Sequence, residues 1–405
     1  MRAERPTREG VFPGAMYHLT MAGLTERANA TPVASDAEAA GREREVAPSE
    51  REVLLLSLVS CVLFVSVIVL SKDYFSLVDN FGDNMAYMNV ARAIRHWDFA
   101  GLWVKHFWGL PYVMALVSMV ARVSDRASLL LVSVAASLLS GALAWRLWGG
   151  WVAGLFVILN LDWMQRSFLG GSEPLFVAFL FAAFLAARRE RWPLAAFLAS
   201  WATIVRPLGI FALLGIGLVL LYRRDFRRLA MAVGIGAVIG ILHALPLALH
   251  FGDPLATVHS YEIPQAGGGG LFGFPFYAII KGTIDFPAPW TNLVLTFGWI
   301  FFVVIAVVIM ARSAEFRAYA RDHAVETVFL IPYLWCLFSY NYGFWARGNF
   351  PRFAIPIVPF VLLAWLGWIP KDRRVLWAVA SVSPVLAACS AIGVRNVWSA
   401  VHRLL

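Results

Sequence analysis

The chain has 405 residues, of which 60% are hydrophobic and only 15% charged, with a mean hydropathy of +0.70. A soluble domain carries about 25% charged residues, so the composition excludes a soluble globular protein and implies a polytopic membrane protein whose core is the helix bundle itself. The net charge of +9 comes from basic residues in short runs between apolar stretches, which sets membrane topology and does not resemble a nucleic-acid module.

In chain order, residues 1–50 are polar and lack the apolar h-region of a cleavable signal peptide. They read as a disordered cytoplasmic tail before a single transmembrane domain, residues 51–405. The first span covers 53–70. A polar stretch follows at 78–97, VDNFGDNMAYMNVARAIRHW. Gly82 permits a turn there, and Asp83 or Asn84 can cap the next helix through a side-chain oxygen. Tyr87, Val90, Ala91 and Ile94 then form an apolar stripe, as in a helix lying flat on a membrane surface.

The segment 106–120 is apolar but short, with Pro111 near its start. Counted as a full crossing, it would put the basic runs 188–191 (RRER) and 223–228 (RRDFRR) outside. Read as re-entrant or interfacial, it leaves both in the cytoplasm, as the positive-inside bias requires. Alternating spans then follow at 128–147, 151–164, 173–187, 192–205, 208–222, 229–249, 292–310, 324–340, 353–368 and 375–392. Residues 165–172 and 250–290 are expected as outer loops. The expected fold is all-α, with about eleven transmembrane helices plus the outer elements of the first loop. No strict internal repeat is present, which disfavours an inverted-repeat transporter.

Ionisable residues at membrane depth are costly and mark a pathway or a site. On the expected outer side these include Asp79, Asp83, Asp162, Glu173, Arg206, Arg347 and Arg352. Each also has a plainer reading. Glu173, in Ser172-Glu173-Pro174, complements a helix N-terminus. Arg206, before Pro207, snorkels to the interface. Asp162 beside Trp163 makes an ordinary interfacial pair, and Arg352 pairs with a loop acid. Cys61, Cys336 and Cys389 lie in apolar runs without metal-ligand spacing, and no histidine pattern argues a metal site.

Together these segments resemble the GT-C superfamily of membrane glycosyltransferases, over roughly residues 53–368. The resemblance rests on Asp83 to Tyr87 in GDNMAY, on the Gly-Leu-Pro-Tyr segment, on GGSEPLF, on the Arg206-Pro207 element and on FPRFAIPIVPF, where Phe353 replaces the usual Tyr. It implies an inverting, mannosyltransferase-like transfer of a hexose from a polyprenyl-phosphate donor. The acceptor would be a hydroxyl on a lipid, glycan or protein, at the outer face of the plasma (inner) membrane. Asp83 would be the catalytic base, with Asp79 as the rival, and Glu173 a second acid. Tyr87, Asp162, Arg206, Arg347 and Arg352 would contact substrate. No cofactor is required, and a divalent cation, Mg or Mn, is optional. The competing reading is a transporter or flippase for a lipid-linked or anionic substrate; a structural subunit of a larger membrane complex is the third.

Overall fold

A chain in hydrocarbon must satisfy its backbone N–H and C=O groups internally, and the apolar segments accordingly fold as helices. The computed structural model describes residues 48–71, 73–102, 104–260, 271–285, 290–341 and 349–404. Residues 1–47 of the expected tail (1–50) lie outside them, as does Arg347, while Glu50 already belongs to the first helix. The helices are α1 (Glu50–Ser71), α2 (Tyr74–Asn80), α3 (Asn84–His96), α4 (Gly109–Ala121), α5 (Asp125–Trp148), α6 (Gly150–Leu159), α7 (Leu161–Leu169), α8 (Glu173–Arg188), α9 (Trp192–Val205), α10 (Ile210–Tyr222), α11 (Phe226–Phe251), α12 (Ala256–His259), α13 (Tyr277–Asp285), α14 (Trp290–Arg312), α15 (Ala314–Asp322), α16 (Ala324–Ser339), α17 (Asn349–Ala354), α18 (Val358–Trp365), α19 (Arg373–Ile392) and α20 (Val394–Leu404). The protein is a multi-pass, all-helical membrane protein.

Among the described residues five helices, α1, α5, α11, α14 and α19, are individually long and apolar enough to cross a membrane. The remaining expected spans are helical but shorter, and α4 is likewise short, with 13 residues. At 1.5 Å per residue, α4 reaches about 20 Å, no shorter than several of the helices at the expected spans.

One expectation is corrected. The stretch 151–164 is not one continuous span, and 165–172 is not a loop. The chain breaks at Asn160, whose side chain accepts from the Trp163 N–H at 3.0 Å and so starts α7. Helix α7 runs on to Leu169, and the chain then turns by 108° into α8. Asn160 is the physical reason for the break, because its short side chain satisfies an orphan first-turn donor and starts a new helix; the turn into α8 comes at Gly170-Gly171, where φ is +96° and +159°.

Helix α8 is the centre of the bundle, with most of its residues buried on all sides. It packs against α5 and α9; α9 packs on α11, α10 on α16, and α1 on α6 and α19. Polar side chains join helices at buried points. Ser60 donates to the Ala380 carbonyl at 2.7 Å, and Gln165 to the Ala387 carbonyl at 2.8 Å, tying α1 and α7 to α19. Without a hydrophobic driving force between helices in lipid, such bonds add to close packing in holding them together. By contrast, α14 exposes Val294 and Phe301, as a lipid-facing surface does. Helix α20 was not foreseen from the sequence.

Candidate active site

The site starts at the turn before α3. Gly82 adopts φ +56°, a left-handed conformation that costs a side-chain-bearing residue about 1–2 kcal/mol. Asp83 then occupies the N-cap position of α3, but its side chain makes no cap hydrogen bond. The expected capping contact is therefore absent, and the carboxylate faces the bundle instead. Asn84 fixes the turn from behind, its buried amide donating to the carbonyls of Val78 and Leu169, both at 2.7 Å. The expected stripe forms, with Tyr87, Val90 and Ala91 buried. The Tyr87 hydroxyl bonds the Ser172 hydroxyl at 3.1 Å, which joins α3 to the start of α8.

Two arginines and two carboxylates meet here. Arg352, from α17, places Nη2 3.0 Å from Asp83 Oδ2, while its Nε donates to Glu173 Oε1. Arg206 places Nη1 2.7 Å from the same Glu173 oxygen. Arg206 sits in extended backbone at the end of α9, φ −146° and ψ 131°, the conformation imposed on a residue preceding proline. Both guanidinium groups lie over the Phe353 ring, at 5.2 and 5.9 Å from its centroid, a favourable cation–π position. The resulting order is Asp83, Arg352, Glu173, Arg206. Glu173 is 1% exposed and lies behind the arginines, whereas the Asp83 side chain is 34% exposed.

Burial works to raise the Asp83 pKa, but Arg352, assisted by its hydrogen bond, outweighs it and holds the carboxyl below the usual carboxylate range. His106 Nε2 is 3.9 Å from Asp83 Oδ1. Burial pushes the imidazole below its ordinary value, and Lys105 adds to that against the opposing pull of Asp83. Arg352 contributes most to the lowering of the Asp83 pKa, and His106 adds to it.

These groups border a cavity of about 430 Å³. Its polar end carries Asp83, Lys105, His106, Arg206 and Arg352, and its walls are apolar, including Phe176, Leu208, Phe211 and Leu337. The segment after the long loop closes one side. The Gly273 N–H bonds the Ser339 carbonyl at 2.8 Å and the Asn341 N–H bonds the Leu271 carbonyl at 2.9 Å, which brings Phe272 onto the cavity.

The other candidates fall elsewhere. Asp79 is held by Arg126, with Nε 2.7 Å from Oδ1, and does not border the cavity. Asp162 and Arg166 lie on α7, also outside its lining. Arg166 is 7% exposed, stacks 4.5 Å from the Phe81 ring centroid and fills space left by two glycines. A Cβ on Gly82 would fall 2.5 Å from Arg166 Nη1, and one on Gly171 would fall 2.8 Å from Arg166 Cδ. Asp253 pairs with His259 and Lys281 with Asp285, both locally. Sequence reasoning missed Lys105 and His106, which stand just before the Gly-Leu-Pro-Tyr segment, and it gave Arg166 no role. The Gly82 and Gly170-Gly171 positions were the available signal for a closely packed group.

Among the described residues no group of three or more His, Cys, Asp or Glu side chains is placed to hold a metal ion. Asp83 is the one carboxylate among the described cavity-lining residues. The site therefore offers no ready ligand set for the divalent ion that the resemblance leaves optional, and no step is assigned to one.

No family model matches the sequence, and no curated protein matches it. Among solved structures, the crystal structure of ArnT from Cupriavidus metallidurans in the apo state is similar over 84% of this chain and 77% of that one, at 17% identity and a TM-score of 0.40. At that level the likeness assigns no function to this chain.

Proposed function

We propose that the chain is an integral-membrane glycosyltransferase that moves a hexose, of mannosyl type, from a polyprenyl-phosphate donor to an acceptor hydroxyl, with inversion. The observation that carries this reading is a carboxylate, Asp83, paired with an arginine at the polar end of an otherwise apolar cavity. Apolar walls suit a prenyl chain, and the arginines suit a phosphate, whose oxygens a guanidinium fork can engage in pairs. Lys105, Arg206 and Arg352, set against Asp83 and Glu173, leave one net positive charge, which complements the single negative charge of a sugar phosphodiester.

In the proposed step the acceptor oxygen attacks C1 of the sugar as its proton passes to an Asp83 carboxylate oxygen. The C1–O bond breaks, and its electron pair goes to the departing polyprenyl phosphate. A phosphate leaving group needs no protonation, so one general base and fixed cations are the required parts. Arg206 and Arg352 stabilise the charge that develops on the phosphate. Glu173 holds both arginines in place from a buried position, and Tyr87 orients the turn through Ser172. Asp79 is a structural tie to Arg126. The active site faces the outside of the plasma membrane, the side opposite the basic runs at 188–191 and 223–228.

The charges of this site gather at one end of α8, α9 and α17. A transporter needs ionisable groups reachable from both sides near the midplane, so the enzyme reading is favoured. Transfer of radiolabelled sugar from defined polyprenyl-phosphate sugars by the purified chain tests it. Transfer by wild type that disappears in Asp83→Asn supports the reading. Donor binding with no transfer to any of a panel of lipid, glycan and peptide acceptors would sink it.

A further inference from the structure

Helices α8, α10 and α16 frame a second cavity at their other ends. The first cavity touches Phe176, Phe211 and Leu337; the second, of about 410 Å³, touches Phe184, Leu218 and Val325 of the same three helices. Helix α8 has 16 residues, so Glu173 at its start and Arg188 at its end are separated by about 24 Å. That is close to the thickness of a bilayer's hydrocarbon core, about 30 Å. The second cavity therefore lies near the opposite membrane interface, well away from the Asp83 site.

Its lining is rich in hydrogen-bond donors. Trp192 is 2% exposed, borders the cavity and has an indole N–H without a hydrogen-bond partner. A buried, unsatisfied donor is costly and signals a missing acceptor. Helix α16 opens onto the cavity through Ala324 and Val325, and its N-cap residue, His323, provides no side-chain cap bond. Its first-turn N–H groups are thus available to an anion.

Arg223 lies 5.3 Å from the Trp192 ring centroid and is half exposed, and Arg321 stands exposed at the rim. The acids nearby are largely committed. Glu326 is taken by Arg188, with Nε at 2.6 Å and Nη2 at 2.9 Å, and by the Tyr319 hydroxyl. Glu190 pairs with one nitrogen of Arg223 at 2.7 Å. Asp322 is the exposed carboxylate at the rim.

The apolar surroundings select among phosphate-bearing ligands. Leu218 borders the cavity and is 43% exposed, and Tyr222 beside it is 90% exposed, so the mouth opens along the lipid-facing side of α10. Tyrosine and tryptophan concentrate at membrane interfaces for this reason. We infer that this second cavity binds the phosphodiester headgroup of a membrane phospholipid, with the acyl chains lying along α10. Arg223, Arg321, the Trp192 indole and the α16 N-terminus hold the phosphate oxygens.

The test is thermal unfolding of the full chain in detergent with dioctanoyl phosphatidylglycerol, with dioctanoylglycerol, or with inorganic phosphate. The phospholipid should raise the midpoint by about 3–6 °C at a large excess over its Kd, and the other two should not. The double variant Arg223→Gln/Arg321→Gln, changed only at surface positions, should lose the shift. Trp192→Phe should reduce it, and Arg206→Gln, in the first cavity, should retain it. Equal stabilisation by dioctanoylglycerol would show tail binding alone, and equal stabilisation by inorganic phosphate a free-anion site. Either result overturns the inference, as does a shift that survives the double variant or vanishes in Arg206→Gln.

Discussion

Asp83 and Arg352 are 269 positions apart in sequence and meet at 3.0 Å. The same guanidinium also bonds Glu173, so one side chain joins the turn before α3 to the first turn of α8. Because Arg352 offsets the burial of Asp83, the pair decides whether a base exists at all. Its removal should be visible in the pH profile. Asp83 titrates below the usual carboxylate range, so wild-type kcat/KM should hold its value down to about pH 4 or lower. In Arg352→Gln the burial remains and the cation is gone, so the acid limb should move to higher pH, whatever the loss in amplitude. By the same linkage, the pair stabilises the fold above the ordinary Asp pKa, about 3.9, and that contribution disappears as pH falls through the lowered folded value. An acid limb that stays in place would show that Asp83 does not carry it.

Asp83→Asn keeps the size of the side chain and removes its capacity to accept a proton. Transfer should fall by about 10²–10⁴, with donor binding retained and thermal stability lowered only by the loss of the Arg352 ion pair. Asp79→Asn should leave most of the activity, because Asp79 is engaged by Arg126 outside the cavity. Activity that survives Asp83→Asn but not Asp79→Asn would move the base by one turn of chain.

Glu173→Gln should act on stability first. It removes a buried carboxylate between two partly buried arginines while leaving both cations in place. Breaking a buried pair from one side costs about 3–5 kcal/mol, which thermal melting in detergent would register as a marked drop. A melt unchanged from wild type would argue that Glu173 does not hold the arginines.

Arg206→Lys keeps the charge and loses the fork. If Arg206 engages the donor phosphate in two bonds, the donor KM should rise or kcat fall by about tenfold or more, on roughly 1.5–3 kcal/mol for a charge-assisted bond. Steady-state kinetics on a polyprenyl-phosphate sugar will tell, and unaltered constants would leave Arg206 with a structural role only.

Gly82→Ala places a Cβ at φ +56°, 2.5 Å from Arg166 Nη1. The arginine tip can move, but the backbone strain remains, at about 1–2 kcal/mol. We expect a modest loss of stability and a larger loss of transfer, since Asp83 is the next residue. Chemical denaturation and transfer assays on the same preparation separate the two, and equal activity with wild type would show that the turn tolerates the change.

The sequence by itself determined the class of the protein and the location of most of its apolar helices, though not the break between α6 and α7 or helix α20. An apolar stretch in a bilayer has no alternative to internal hydrogen bonding, so hydropathy fixes helix and loop with little help from tertiary contacts. It also singled out Asp83, Glu173, Arg206 and Arg352, because a charge beside a long apolar run is costly unless it is used. The tertiary structure decided which of them meet. Both Asp79 and Asp83 lie in one polar stretch four residues apart, and only folding brings Arg126 to the first and Arg352 to the second. The resemblance implied Glu173 as a second acid, and only the packing of α8 shows it buried behind two arginines. The break at Asn160 was hidden for another reason. A single polar residue after the apolar run 150–159 does not break a hydropathy window, so the pattern carries no sign of a helix restart at Asn160 or of the 108° turn that follows between α7 and α8. Lys105 and His106 gave no periodic signal either, because their place at the cavity comes from the docking of the α3–α4 connection against the bundle, a long-range event that local pattern does not encode.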